Sequence, residues 1–170
     1  MTLMLSMVTM VVERMRRHRS GEVSRIGEKI ENRGVGNGGI MGDTGKVALV
    51  TEGDSGIGRA VCYCFAREGA TIAITYVKGQ EDKDAADTIN IINDAKTKDS
   101  KDPIAIPTDL GFDANCKSVV DQVVGKYGCI DILVNNAAEQ YMCRTVEDID
   151  EKWLDRVFRT NIYSYFFLTR

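Results

Sequence analysis

The chain reads as an α/β protein: a doubly wound parallel sheet of about four strands with helices on both faces. Two observations predict this. From Lys46 onward, β-rich apolar runs alternate four times with amphipathic helical stretches, and the first run breaks directly into a glycine-rich turn. Alternation of this kind implies right-handed crossovers, which leave helices on both sides of a parallel sheet.

The run KVALVT, residues 46–51, is short, apolar and rich in β-branched residues, as expected of a buried strand. The next segment sets Ile57, Val61 and Phe65 four residues apart, with Ala60 and Cys64 beside them and Gly69 at its end. This predicts a helix whose apolar stripe packs on the sheet. A second strand follows in ATIAITYV, residues 70–77, and Ala85, Ile89 and Ile92 mark the inner face of a second helix. Glu81, Asp82 and Asp84 near its start and Lys96 and Lys98 near its end complement the helix dipole. In PIAIPTDL, residues 103–110, a third strand is expected at Ile104–Ile106, with prolines at its margins. The clearest helix comes next. Cys116, Val119, Val120, Val123, Val124 and Tyr127 recur at spacings of three and four, with Asp113 placed to cap it and Gly128 to stop it. IDILVN, residues 130–135, is a fourth strand. From about Asp150 a last helix carries Trp153, Leu154, Val157, Phe158, Ile162, Tyr165 and Phe166 on a broad apolar face, expected to be core or a dimer surface.

Residues 1–45 lack a sustained period and contain the flexible GVGNGG at 34–39, so they are expected to be an unstructured leader before a domain over 46–170. The apolar run Leu3–Val12 is about half of what a bilayer-crossing helix requires. The basic ERMRRHR after it leaves organelle targeting open. A net charge of -3 gives no electrostatic reason to expect nucleic acid or an anionic membrane as partner, so small-molecule chemistry is the default. Five scattered cysteines and a single histidine, His18, argue against a metal site or a disulfide framework and for a reducing, cytoplasmic setting.

The first strand runs into TEGDSGIG, Thr51–Gly58, where a helix begins. A loop there aims backbone N–H groups and the positive end of the helix dipole at whatever lies above it, which suits a pyrophosphate. Gly56 and Gly58 remove side chains where backbone must approach phosphate or where helix and strand pack closely. Taken alone, such a turn is equally a tight strand-to-helix connection.

KVALVTEGDSGIGRA, then TDL, then DILVNNAA resembles the short-chain dehydrogenase/reductases in residue type, order and spacing. Within that family GDSGIGRAVCYCFAREGA, YVKGQEDKDAADT, DPIAIPTDLG and ILVNNAAEQY are similar to the glucose and ribitol dehydrogenase homologues, over about residues 44–170. The resemblance implies a Rossmann-type NAD(P)-binding domain, here partial, and hydride transfer on a sugar, polyol or aldehyde. It assigns Ser55, Gly56, Ile57 and Gly58 to the pyrophosphate and adjoining ribose, and Asp109 and Leu110 to the border of the adenine. Asn135, Asn136 and Ala137 would steady the central strand beside the cofactor. Other readings remain: Asp109 as the cap of the next helix, and the asparagines as a strand-ending turn. At the end of the second strand an acidic residue would indicate NAD; Tyr76 stands there with Lys78 nearby, so NADP(H) is expected over NAD(H).

The chain departs from the family twice. Catalysis there uses a Tyr-x-x-x-Lys pair, whose ammonium lowers the phenol's pKa, and a serine. Four residues after Tyr63, Tyr76, Tyr127, Tyr141, Tyr163 and Tyr165 stand Arg67, Gln80, Asp131, Thr145, Phe167 and Thr169, so no such pair occurs. By family order both pair and serine fall beyond Arg170, and the chain alone is expected to be inactive. Asn161 matches the family's helix asparagine that helps position a water in the proton relay, and is the single catalytic-type position present. Without the resemblance it reads as a polar residue at the margin of a packed face. The second departure is Glu52, which occupies the first glycine of the Thr-Gly-x-x-x-Gly-x-Gly pattern. A carboxylate beside a pyrophosphate repels it by roughly 4 kcal/mol at moderate dielectric, unless the side chain swings into solvent and Gly53 takes up the turn. Weakened cofactor binding is expected. The alternatives to a truncated oxidoreductase are a non-catalytic nucleotide-binding or dimerising fragment, pairing through the 150–170 helix, and a gene-model remnant without function. Truncation is also expected to leave the fourth strand as an exposed apolar edge.

Overall fold

The computed structural model describes Leu3–Met4, Val11–Arg14 and residues 43–170. In chain order the strands are β1 (Leu3–Met4), β2 (Val11–Arg14), β3 (Val47–Val50), β4 (Thr71–Tyr76), β5 (Ile104–Pro107), β6 (Ile132–Asn135) and β7 (Met142–Cys143). The helices are α1 (Gly56–Arg67), α2 (Asp82–Ala95), α3 (Asp113–Tyr127), α4 (Glu151–Phe158) and α5 (Ser164–Thr169), with a π-helical segment at Arg159–Tyr163 joining the last two.

The main sheet has the order β2-β6-β3-β4-β5. The four strands β6, β3, β4 and β5 run parallel, as the alternation predicts. The chain moves from β3 outward through β4 to β5 and then returns to place β6 on the other side of β3. That reversal creates a crevice at the carboxyl ends of β3 and β6, where open α/β sheets receive ligands. The pleat sorts β3 between two cores: Val47 and Leu49 join Val119, Val123 and Leu168 under α3 and α5, while Ala48 and Val50 join Cys62, Ala66 and Ile92 under α1 and α2.

The apolar edge expected at β6 is covered, because Val11–Arg14 pairs antiparallel with it in the register Val11↔Asn135 and Arg14↔Ile132. A ladder needs only backbone groups, so a segment without helical or strand periodicity can supply it. β1 pairs with β7 in a separate two-stranded ribbon. Both strands fall within the stretch read as a leader; its other residues up to 42 lie outside the described residues.

Two helix faces differ from expectation. In α1 the fully buried positions are Gly58, Cys62 and Ala66, while Ile57 is 59% exposed and Val61 and Phe65 flank the contact. Small residues let the helix approach the sheet closely, and large ones then fit only at the margins. In the last helical run the buried residues are Val157, Thr160, Asn161, Ser164 and Leu168, whereas Trp153, Leu154, Phe158 and Phe166 are exposed. The aromatic face is therefore not core. At α3 the cap is Phe112, without a side-chain hydrogen bond, rather than Asp113, which is the first helical residue; Gly128 does end the helix, in a left-handed conformation.

Candidate functional site

The β3–α1 turn is tied to the end of β6 by two side chains. The Thr51 hydroxyl donates to the Val134 carbonyl and accepts the N–H groups of Asn136 and Ala137 at 2.8 and 2.9 Å. The Asn136 amide returns the connection, donating to the carbonyls of Thr51 and Glu52 at 3.0 Å each. A β-carbon at position 58 would lie 2.2 Å from the Glu52 carbonyl oxygen and 2.7 Å from the Asn136 amide nitrogen, so glycine there is a packing requirement. Gly56 has φ 50° and open space where a β-carbon would be, and Ser55, the N-cap of α1, makes no capping bond.

Glu52 itself takes the left-handed turn, with φ 46°, and Gly53 does not. Gly53 is needed for another reason: a β-carbon there would meet Ile74 at 2.6 Å. Nor does the Glu52 carboxylate swing into solvent. It accepts the Ala138 N–H at 3.1 Å and lines the crevice. Burial pushes its pKa up to about 7; the Ala138 hydrogen bond opposes this, and the charges of Glu81, Asp54 and Glu139 reinforce it. Asp54, next in the turn, is fully buried with both carboxylate oxygens unpartnered, and burial raises its pKa as well.

Across the crevice Arg156 from α4 joins two loops. Its Nη1 donates to both Asp109 oxygens at 2.9 and 3.0 Å, and its Nε donates to Glu139 at 2.6 Å. Thr160 also donates to Glu139 at 3.0 Å. Asn161, only 3% exposed and within the π-helical segment, accepts the Glu139 N–H at 2.7 Å and donates to the Glu139 carbonyl at 2.9 Å. It is thus a clamp on the loop after β6 rather than a marginal polar residue. π-Bulges of this kind often mark functional positions.

Of the residues singled out by sequence, Asp109 and Leu110 line this crevice, and the others lie in the turns and strand ends around it. Ser55, Gly56 and exposed Ile57 form the start of α1, Gly58 sits beneath it, and Asn136 holds it. Tyr76 ends β4 and accepts the Thr108 N–H on its carbonyl. Asp109 lines the opposite wall, where it accepts the Gly111 N–H and both bonds from Arg156 Nη1, and the cap position of α3 is Phe112 rather than Asp109. Leu110 and Ala137 have buried side chains in the core beneath α3. Asn135 is buried with its Oδ1 unpartnered. A carboxylate does stand near the end of β4: Glu81 accepts the Val77 N–H at 2.8 Å and lines the crevice, brought there by the fold of α2. Thr51, Glu139, Arg156 and Thr160 were not anticipated, because no local spacing links positions on a strand, a loop and a helix.

Comparison with known proteins bears on what such a crevice serves. The family model described as short chain dehydrogenase matches residues 46–170. The chain belongs to the short-chain dehydrogenase family. It is 71% identical over 126 residues to the NADPH-dependent aldehyde reductase 1, chloroplastic, of Arabidopsis thaliana, which covers 74% of this chain and 44% of that protein. It is 70% identical over the same length to the glucose and ribitol dehydrogenase of Daucus carota, covering 74% of this chain and 43% of that one. The L-sorbose reductase of Gluconobacter frateurii, solved with NADPH and L-sorbose, superposes with a TM-score of 0.67 at 26% identity, over 77% of this chain and 47% of that one. A short-chain dehydrogenase/reductase of Serratia marcescens gives a TM-score of 0.65 at 32% identity, over 74% and 49%. The chain spans less than half the length of these relatives. Among the described residues no helix is long and apolar enough to cross a membrane.

The short-chain dehydrogenase family implies a nicotinamide dinucleotide. The open Gly56 backbone and the uncapped start of α1 fit its pyrophosphate. Glu52 is the misfit, since its carboxylate shares the crevice with Glu81, Asp109 and Glu139, while Arg156 is already held by the last two.

Proposed function

We propose that this chain is the cofactor-binding part of an NADP(H)-dependent oxidoreductase that acts on a sugar, polyol or aldehyde. The observation that carries the reading is the Thr51–Asn136 connection, which holds the glycine turn at the carboxyl ends of β3 and β6. In this reading Ser55, Gly56, Ile57 and Gly58 hold the pyrophosphate, Asp109 and Leu110 border the adenine, and Asn135, Asn136 and Ala137 keep β6 beside the cofactor. The cofactor, when bound, supplies the hydride. Asn161 holds the Glu139 backbone and with it the floor of the reaction side. NADP(H) over NAD(H) is supported by exposed Lys78 beside Tyr76 and by the NADPH named for the Arabidopsis and Gluconobacter proteins; Glu81 works against it. The substrate class rests on the names of the relatives.

Residues 1–170 contain no Tyr-x-x-x-Lys pair, so the chain is expected to bind NADPH without turning it over. Fluorescence titration with NADPH, followed by an aldehyde-reduction assay on the same sample, tests this. Absence of binding at every pH defeats the reading, and turnover defeats its inactive part.

A second reading, a dimerising fragment, is favoured by the outward Trp153, Leu154, Phe158 and Phe166, which form an apolar surface along α4 and α5. The cytoplasm is the proposed compartment, supported by five free thiols; the chloroplastic relative supports organelle import as the alternative.

A further inference from the structure

We propose that Glu52 is a gate of the nucleotide crevice: its carboxylate holds the Ala138 N–H and, when charged, excludes the anionic dinucleotide, so that the crevice admits it only with Glu52 protonated. The inference rests on the proposed nucleotide reading and adds a regulation to it.

The geometry comes first. The Glu52 backbone is held in the left-handed region, at φ 46°, by what surrounds it: its N–H donates to the Thr75 hydroxyl at 3.1 Å and its carbonyl accepts the Asn136 amide. Gly58 packs against that same carbonyl. The side chain therefore leaves the turn toward the crevice and ends on the Ala138 N–H. That N–H, at the carboxyl end of the central strands, is a donor facing the space assigned to the dinucleotide, and an internal anion already takes it.

The charges around Glu52 come from every element that packs there. Glu81 faces it from the start of α2, Asp54 from its own turn, Glu139 from the loop after β6 and Asp109 from the loop after β5. Tyr165 of α5, whose hydroxyl donates to the Ala137 carbonyl, feels the Glu52 charge as well. Among the described residues Arg156 is the one cation lining the crevice, and Asp109 and Glu139 hold it. Among the described residues ionised Glu52 thus has no cation of its own, and an anionic dinucleotide in the crevice would add further negative charge. Protonation removes the repulsion and leaves a neutral group able to donate.

Burial first, against the opposing Ala138 hydrogen bond, and then the charges of Glu81, Asp54 and Glu139 raise the Glu52 pKa to about 7, which places the gate in the neutral range. The folded value lies above the unfolded value of 4.5, so the folded chain holds the proton more tightly. Stability from this group is therefore full below the unfolded value and is lost as pH rises through about 7.

The test is NADPH titration of the full chain and of Glu52→Gly and Glu52→Gln at about pH 6 and pH 8.5, with melting of the free chains under the same conditions. One-proton linkage makes the parent chain bind up to about 30-fold more weakly at the higher pH. Both variants should bind with nearly equal affinity at the two values, apart from any titration of the 2′-phosphate, which all three chains share. The free parent chain should also lose melting temperature toward high pH relative to Glu52→Gln, a readout independent of the nucleotide. Identical pH profiles in all three chains overturn the gate and leave the nucleotide site standing. No binding by any chain at either pH overturns both. Glu52→Gln keeps the side chain's length, so a folding failure confined to Glu52→Gly does not remove the comparison.

Discussion

Helix α1 seats Gly58, Cys62 and Ala66 against the sheet, whereas the α4–α5 run seats Thr160, Asn161 and Ser164 together with Val157 and Leu168 and turns its aromatics outward. The first contact is one of shape: small side chains allow close approach, and no partner has to be specified. The second is one of address. Each buried polar group must meet a particular atom, and Asn161 and Thr160 meet Glu139 in the loop after β6. α1 thus fixes the glycine turn at the carboxyl end of β3, while α4–α5 fixes the loop after β6 on the other side and leaves a surplus apolar surface.

Three substitutions strain this comparison. Gly58→Ala should be the most damaging, because its β-carbon would meet backbone and a fixed amide at 2.2 and 2.7 Å rather than a flexible chain end. A loss of about 3 kcal/mol or more in urea denaturation is expected; a loss below about 1 kcal/mol would mean that α1 is free to lift from the turn. Asn161→Ala removes the partners of the Glu139 N–H and carbonyl and should cost about 2 kcal/mol. Faster amide exchange at Glu139 should accompany it; unchanged exchange would show that Asn161 does not protect that N–H. Phe166→Ser should alter stability by no more than about 0.5 kcal/mol, since the ring is 71% exposed. It should nevertheless weaken self-association in sedimentation if the aromatic face joins two copies, and identical profiles would assign that face another role.

Much of the fold was legible because its signals are local. Four apolar runs, the helices between them and the stop at Gly128 all follow from periods of two and 3.6 residues and from turn chemistry. The tight turn at Gly56 and Gly58 was legible for the same reason. The faces of α1 and α4–α5 were not, because spacing identifies a stripe of apolar residues but not which neighbour is close enough to demand small or polar ones. The antiparallel pairing of Val11–Arg14 on β6 left no side-chain signature, being made by backbone groups.

Glu52 divides the two kinds of knowledge most sharply. That a glutamate stands where the family carries glycine is determined by the sequence alone, since identity and position within the turn are local facts. That it adopts φ 46° and points inward to the Ala138 N–H was decided by tertiary structure. So was the pairing of Arg156 with Asp109 and Glu139. The physical reason is sequence distance: these contacts span 86, 47 and 17 residues, and only the packed sheet brings their partners to the same crevice.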